Sequence, residues 1–127
     1  MAETAAVGQV TGLIPLAQVA DVQRSVDFYQ LLGMEVRGSL RNPDGVLQWV
    51  SLANRGAELM FGRATEPLAA SQGVLFYLYS PNLVALREHL LAQAIKVSEI
   101  THPEYMPKGE ICLYDPDGYT LLIGQID

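Results

Sequence analysis

A single carboxylate, Glu58, interrupts the otherwise apolar run Ala57-Glu58-Leu59-Met60-Phe61. Side chains of a strand alternate between faces, so if Leu59 and Phe61 pack beneath a helix, Glu58 and Met60 point the other way. An acid in that place can receive a cation or a hydrogen-bond donor from a ligand, or serve as a base. Trp49, Tyr77, Tyr79 and Tyr105 are the aromatic supply. By the same alternation Val74, Phe76 and Leu78 face a helix layer, which leaves Leu75, Tyr77 and Tyr79 on the opposite face. Tyrosines there present a flat apolar body with a polar tip, suited to planar or glycosidic ligands. Trp49 belongs on the same face.

Other reactive side chains carry less. Cys112 lies in an extended apolar segment with no neighbouring base to lower its pKa, and reads as a structural thiol. Ser51 has no elbow or triad context. The two histidines are His89, within a helical stretch, and His102. His102 can be drawn with Glu99 and Glu104 as a metal cluster, but Pro103 and Pro107 mark that stretch as a solvated loop.

The elements that must position these residues repeat in two halves. Asp21 and Asn82 each precede an amphipathic stretch, and both types accept first-turn N–H groups well. Val22, Ser25, Val26, Tyr29 and Leu32 recur at helical spacing in one stretch; Leu83, Leu86, Leu90 and Ala94 do so in the other. Gly33 offers a left-handed stop to the first helix. Extended segments are expected at 13–19, 34–40, 47–53 and 57–62, and again at 74–79, 97–102, 110–115 and 120–125. Asn42-Pro43-Asp44-Gly45, Asn54-Arg55-Gly56 and Asp115-Pro116-Asp117-Gly118 supply turns. Residues 63–72 read as a linker, so the order is βαβββ twice.

The chain has 127 residues, one domain's worth, with eight basic and fourteen acidic side chains and a net charge of −6. That balance argues against a nucleic-acid partner, which calls for a Lys/Arg stripe, and is mildly compatible with a cationic ligand. No apolar run approaches the roughly 20 residues of a membrane span. Residues 1–12 read as a loose tail and lack the basic start and apolar core of a secretory signal. The one cysteine cannot form an intrachain disulfide, which fits a cytoplasmic protein.

Two segments carry a resemblance. Asp21-Val22-Gln23-Arg24-Ser25-Val26-Asp27-Phe28-Tyr29-Gln30-Leu31-Leu32-Gly33 follows an apolar strand, and Asp115-Pro116-Asp117-Gly118-Tyr119 precedes Leu121-Leu122-Ile123. Together they resemble the vicinal oxygen chelate superfamily of glyoxalases, extradiol dioxygenases and bleomycin-resistance proteins, from about Leu13 to Gln125. The resemblance implies an α+β fold of paired βαβββ modules, 13–62 and 73–125, within a single domain at 13–127. The modules would form a curved, cupped mixed sheet with helices on its outer face. Members commonly dimerise, and a homodimer would cover the apolar strand surface that a lone copy leaves in water.

By the same resemblance the metal-ligand positions of the superfamily fall on Ile14, Glu58, Leu75 and Leu122. One donor in four does not hold a divalent cation, so no metal and no cofactor are expected, and the chain looks closest to a metal-free bleomycin-resistance branch. The implied function is metal-independent binding of a small aromatic or cationic molecule, a drug for instance, with no bond broken. The ligand-binding set is Ile14, Leu16, Gln18, Trp49, Glu58, Met60, Leu75, Tyr77, Tyr79 and Leu122, with Glu58 expected to orient the ligand from among apolar neighbours. Gln18 joins it because Ile14, Leu16 and Gln18 share one face of the first strand. The alternative is a glyoxalase- or dioxygenase-like metalloenzyme, a lyase, isomerase or oxygenase with atypical ligands; a third is a cup filled by its own side chains.

Overall fold

In the computed structural model, which describes residues 8–9, 11–68 and 74–126, both anticipated caps are made. The Asp21 carboxylate accepts from the Arg24 N–H at 3.1 Å, and the Asn82 side chain accepts from the Ala85 N–H at 3.1 Å. They open α1 (Val22–Gln30) and α2 (Leu83–Ala92). Gly33 follows α1 with φ of 91°, the left-handed conformation that costs glycine little. The strands are β1 (Leu16–Val19), β2 (Glu35–Arg41), β3 (Leu47–Asn54), β4 (Ala57–Arg63), β5 (Phe76–Ser80), β6 (Glu110–Tyr114) and β7 (Thr120–Gln125).

They form two mixed sheets, ordered β1-β4-β3-β2 and β5-β7-β6. In each, the first strand of the half runs parallel to its last, β1 to β4 and β5 to β7, and the remaining pairs are antiparallel. The α+β fold of two related halves is the expected one. The N-terminal tail largely, and part of the linker (69–73), lie outside the described residues.

One anticipated strand is not formed. Residues 97–102 run beside β6 but make only the isolated bridge of Thr101 with Glu110 and a bond from the Ser98 N–H to the Cys112 carbonyl at 3.0 Å. Ser98 explains the loss. Its hydroxyl takes the Cys112 N–H at 2.8 Å, and its carbonyl accepts from Arg87 Nε at 2.8 Å. The two groups that would continue a ladder are thereby occupied by side chains. The first strands also start later than expected: Ile14 and Leu75 precede β1 and β5. Pro15, lacking an N–H, contributes only its carbonyl, which accepts from Met60 at 2.9 Å.

Alternation puts Ala17, Val19, Val50, Leu52, Leu59 and Phe61 of the first sheet, and Ile111, Leu113, Leu121 and Ile123 of the second, into one buried core. The helices bury Val22, Val26, Tyr29, Leu83 and Leu90 against it. Tyr29 packs on Phe61 with ring centroids 4.9 Å apart. Burying side chains of that size contributes about 1.5–3 kcal/mol each, so this layer fixes which sheet faces are left for other work.

Candidate functional site

The strand faces turned away from the core carry most of the chemistry-bearing residues. On the first sheet Trp49 stands opposite Gly62, Ser51 opposite Met60, and Ala53 opposite Glu58. Leu16 neighbours Met60 and Gln18 neighbours Gly62 across the parallel pair. Leu16, Gln18, Trp49, Glu58 and Met60 therefore share one face, as alternation anticipated. The Trp49 ring is admitted by Gly38, where a Cβ would come within 3.4 Å of Trp49 Cζ3.

Glu58 does not have the environment expected of it. It is exposed at the start of β4, two residues from the strand-connecting turn, and water rather than apolar surface surrounds it. Ile14 and Leu75 are themselves exposed and lie outside the strands. The anticipated buried carboxylate among Ile14, Leu75 and Leu122 is thus not formed. Among the described residues no three His, Cys, Asp or Glu side chains come together as a metal-binding set. The donors present do not fit a divalent ion at the positions the superfamily uses. Nor do His102, Glu99 and Glu104 converge: His102 Nδ1 contacts the Pro107 carbonyl at 3.0 Å, and Glu99 pairs with Arg87 at 3.4 Å.

On the second sheet Tyr77 and Tyr79 share a face, their rings 5.3 Å apart and tilted by 37°. Leu122 lies beside Tyr77 on β7. The carboxylate on this face is Glu110, which is 7 % exposed. One of its oxygens accepts from the Tyr77 hydroxyl and the other from the Tyr105 hydroxyl at 2.9 Å. Desolvation, then the bond to Glu110, pushes the Tyr77 phenol well above its ordinary range; the bond to Glu110 is the chief cause for Tyr105. Gly124, between Tyr79 on β5 and Glu110 on β6, makes room: a Cβ there would lie 2.7 Å from Met106 Cε. Part of this face is therefore filled by the chain's own loop.

Glu110 and Met106 are absent from the expected ligand-binding set. The signal that marks Glu58, a lone acid in an apolar strand, also marks Glu110 in Glu110-Ile111-Cys112-Leu113. What the pattern does not carry is the path of residues 102–109 back over the sheet.

A concavity lies where the two sheets approach. β1 and β5 belong to different sheets, and a cleft of about 790 Å³ opens between them. Leu16, Val74 and Phe76 give it apolar walls, and Gln18, Glu66 and Tyr119 supply polar atoms. Tyr119 is fixed by donating its hydroxyl to the Gln18 carbonyl at 2.9 Å and by packing on Phe76, centroids 5.6 Å apart. Of the expected ligand-binding residues, only Leu16 and Gln18 line this cleft; Ile14 and Leu75 lie outside the strands, and the others spread over the two open faces.

This arrangement of halves defines a class that the sequence matches as well. Residues 8–123 match the model of the Glyoxalase/Bleomycin resistance protein/Dioxygenase superfamily, and the chain belongs to that superfamily. No curated protein matches it in sequence. Among solved structures it is similar to a bleomycin-binding protein complexed with bleomycin, at 17% identity and a TM-score of 0.72, over 93% of this chain and 100% of that one. A bleomycin resistance determinant encoded on the transposon Tn5 aligns at 16% identity and 0.72, over 93% and 99%. TnmS3, an antibiotic binding protein from Streptomyces sp. CB03234, aligns at 18% and 0.67, over 94% and 99%. At these identities the likeness is one of fold.

Proposed function

We propose that the protein is a metal-independent binder of a small, partly aromatic molecule, of the bleomycin-resistance type, and that it works as a homodimer in the cytoplasm. The cleft between β1 and β5 carries this reading. Its volume of about 790 Å³ falls in the range that encloses drug-sized ligands, roughly 300–1,000 Å³. Its walls are part apolar, from Leu16, Val74 and Phe76, and part polar, from Gln18, Glu66 and Tyr119, whose hydroxyl is held at the Gln18 carbonyl. The open faces bearing Trp49, Met60, Tyr77, Tyr79 and Leu122 extend the apolar surface on either side. Glu58, exposed and outside the cleft lining, contributes long-range attraction for a cation rather than a buried contact. Neighbours of the same fold that bind bleomycin or another antibiotic support the ligand class. Enclosing such a molecule removes it from its target without chemistry.

The single tryptophan, Trp49, gives a direct readout. Titration with planar aromatic and glycopeptide antibiotics should shift its emission saturably for at least one of them, and replacing Phe76 by Ala should weaken that ligand about ten-fold or more, as for losing a large apolar contact. A flat response across the panel would remove the reading.

A further inference from the structure

We propose that Glu110, with the ring faces of Tyr77 and Tyr79, forms a subsite for an organic ammonium, and that the Tyr105 hydroxyl holds the place such a group would take. The inference rests on the small-molecule reading above and names a ligand class and a second locus for it, on the face of the second sheet.

Glu110 is nearly fully buried, and both its oxygens are held by phenols. Phenols donate hydrogen bonds but bring no charge. Three guanidinium groups pair with other carboxylates: Arg24 with Asp117, Arg37 with Glu35 and Arg87 with Glu99. A buried carboxylate held by phenol donors gains more from an arriving cation than a solvated one does. Each oxygen also keeps a second lone pair. Beside it the Tyr77 and Tyr79 rings, 5.3 Å apart, form a shallow open V, and Tyr79 is 59 % exposed. Electron-rich faces next to a carboxylate suit a cation on an apolar stem.

Tyr105 makes the subsite displaceable. It is 65 % exposed, so its tie to this face is the hydroxyl bond to Glu110. Met106, packed over Gly124, anchors the neighbouring residue. An ammonium N–H can therefore take the Glu110 oxygen that Tyr105 now occupies, with the phenol released to water and the loop left in place.

Binding of phenethylammonium and of its uncharged counterpart 2-phenylethanol, measured by NMR titration at low salt, tests this. The ammonium should bind about ten-fold tighter to the wild type, the margin for a charged hydrogen bond with cation–π support. Glu110→Gln should erase that margin, Tyr79→Ala should reduce it, and Tyr105→Phe should widen it several-fold because the competing hydroxyl is gone. Equal affinities in the wild type, a margin that survives Glu110→Gln, or a loss on Tyr105→Phe would each overturn the proposal. If Glu110→Gln does not fold, the Tyr79 and Tyr105 variants decide. Equal binding of both probes, weakened by Phe76→Ala, would leave the cleft reading standing and sink this one; silence from both probes and from the antibiotic panel would sink both.

Discussion

The hydroxyl of Tyr29, on the buried side of α1, donates to Asp115 Oδ2 at 2.9 Å across 86 positions of sequence. The other Asp115 oxygen accepts from the N–H groups of Asp117 and Tyr119, both at 2.9 Å. Asp117 in turn accepts from the Ala20 N–H at 2.9 Å and from Arg24 at 3.2 Å. The two segments that identify the superfamily in sequence thus meet in space. The aspartates of the Asp115-Pro116-Asp117-Gly118 turn fasten the second half to the first helix and to Ala20, just after β1.

Tyr29→Phe removes the donor and leaves a buried carboxylate one partner short, which should destabilise the fold by about 1–3 kcal/mol. The Tyr29→Phe/Asp115→Asn double variant should cost less than the sum of the single ones, a coupling that denaturant unfolding will measure. Burial outweighs the three hydrogen bonds and holds the Asp115 carboxyl above the usual carboxylate range. Its contribution to stability is therefore complete below the unfolded value near 4 and is lost as pH rises through the higher folded value. The Asp115→Asn variant should flatten that part of the stability profile.

Stability should fall steeply above about pH 10. Burial, then the nearby Asp115 charge, holds the Tyr29 phenol far above its ordinary value, and burial does the same more mildly for Tyr119. Tyr77 and Tyr105 are raised by their surroundings at Glu110. In every case the folded value exceeds the unfolded one near 10. The contribution is full below about pH 10 and is lost as pH rises from there toward the folded values. Tyr29 alone steepens the loss by up to about 1.4 kcal/mol per pH unit. Denaturation midpoints at about pH 8 and pH 11 should differ sharply, and the part of the phenolate absorbance that Tyr29→Phe removes should appear with unfolding rather than before it.

The fold was legible because its signals are local. Asp21 and Asn82 are cap residues followed by helical apolar spacing, and alternation in Leu59-Met60-Phe61 or Tyr77-Leu78-Tyr79 names the faces without knowledge of the partner strand. The sixth anticipated strand failed for a non-local reason: Arg87, on α2, captures the Ser98 carbonyl. The site was legible only as faces. That Glu58 is exposed depends on its place at the start of β4, and that Glu110 is buried depends on Tyr105 and Met106 returning over Gly124. Neither relation has a sequence period.

Gly124→Ala tests that return. A Cβ at this position would lie 2.7 Å from Met106 Cε, 2.9 Å from Sδ and 3.2 Å from Cγ, so the methionine and its loop must shift. Overpacking of this kind costs about 1–3 kcal/mol. Pairing it with Met106→Ala should recover most of the loss, since the clash is with that side chain and not with backbone. A Gly124→Ala variant as stable as the wild type would show that the loop does not rest on the sheet.

The open faces lead to the last prediction, a dimer at micromolar concentration. Leu40, 63 % exposed on β2, stands opposite Trp49 on the same face of the first sheet. β2 is also an edge strand with most of its residues exposed, and such an edge is normally covered or charged. A second copy packed along β2 would bury the apolar side chains on this face of the first sheet and leave the second sheet's tyrosine face open. Sedimentation velocity at about 10 μM should therefore give a particle of twice the chain mass, in keeping with the affinity that an interface of roughly 1,600 Å² commonly provides. Leu40→Glu should raise the dissociation constant at least ten-fold while leaving the monomer folded, because that position bears no core contact and a charge there costs only where it must be desolvated. A wild type that sediments as a monomer, or a Leu40→Glu protein that dimerises unchanged, would place this face in water.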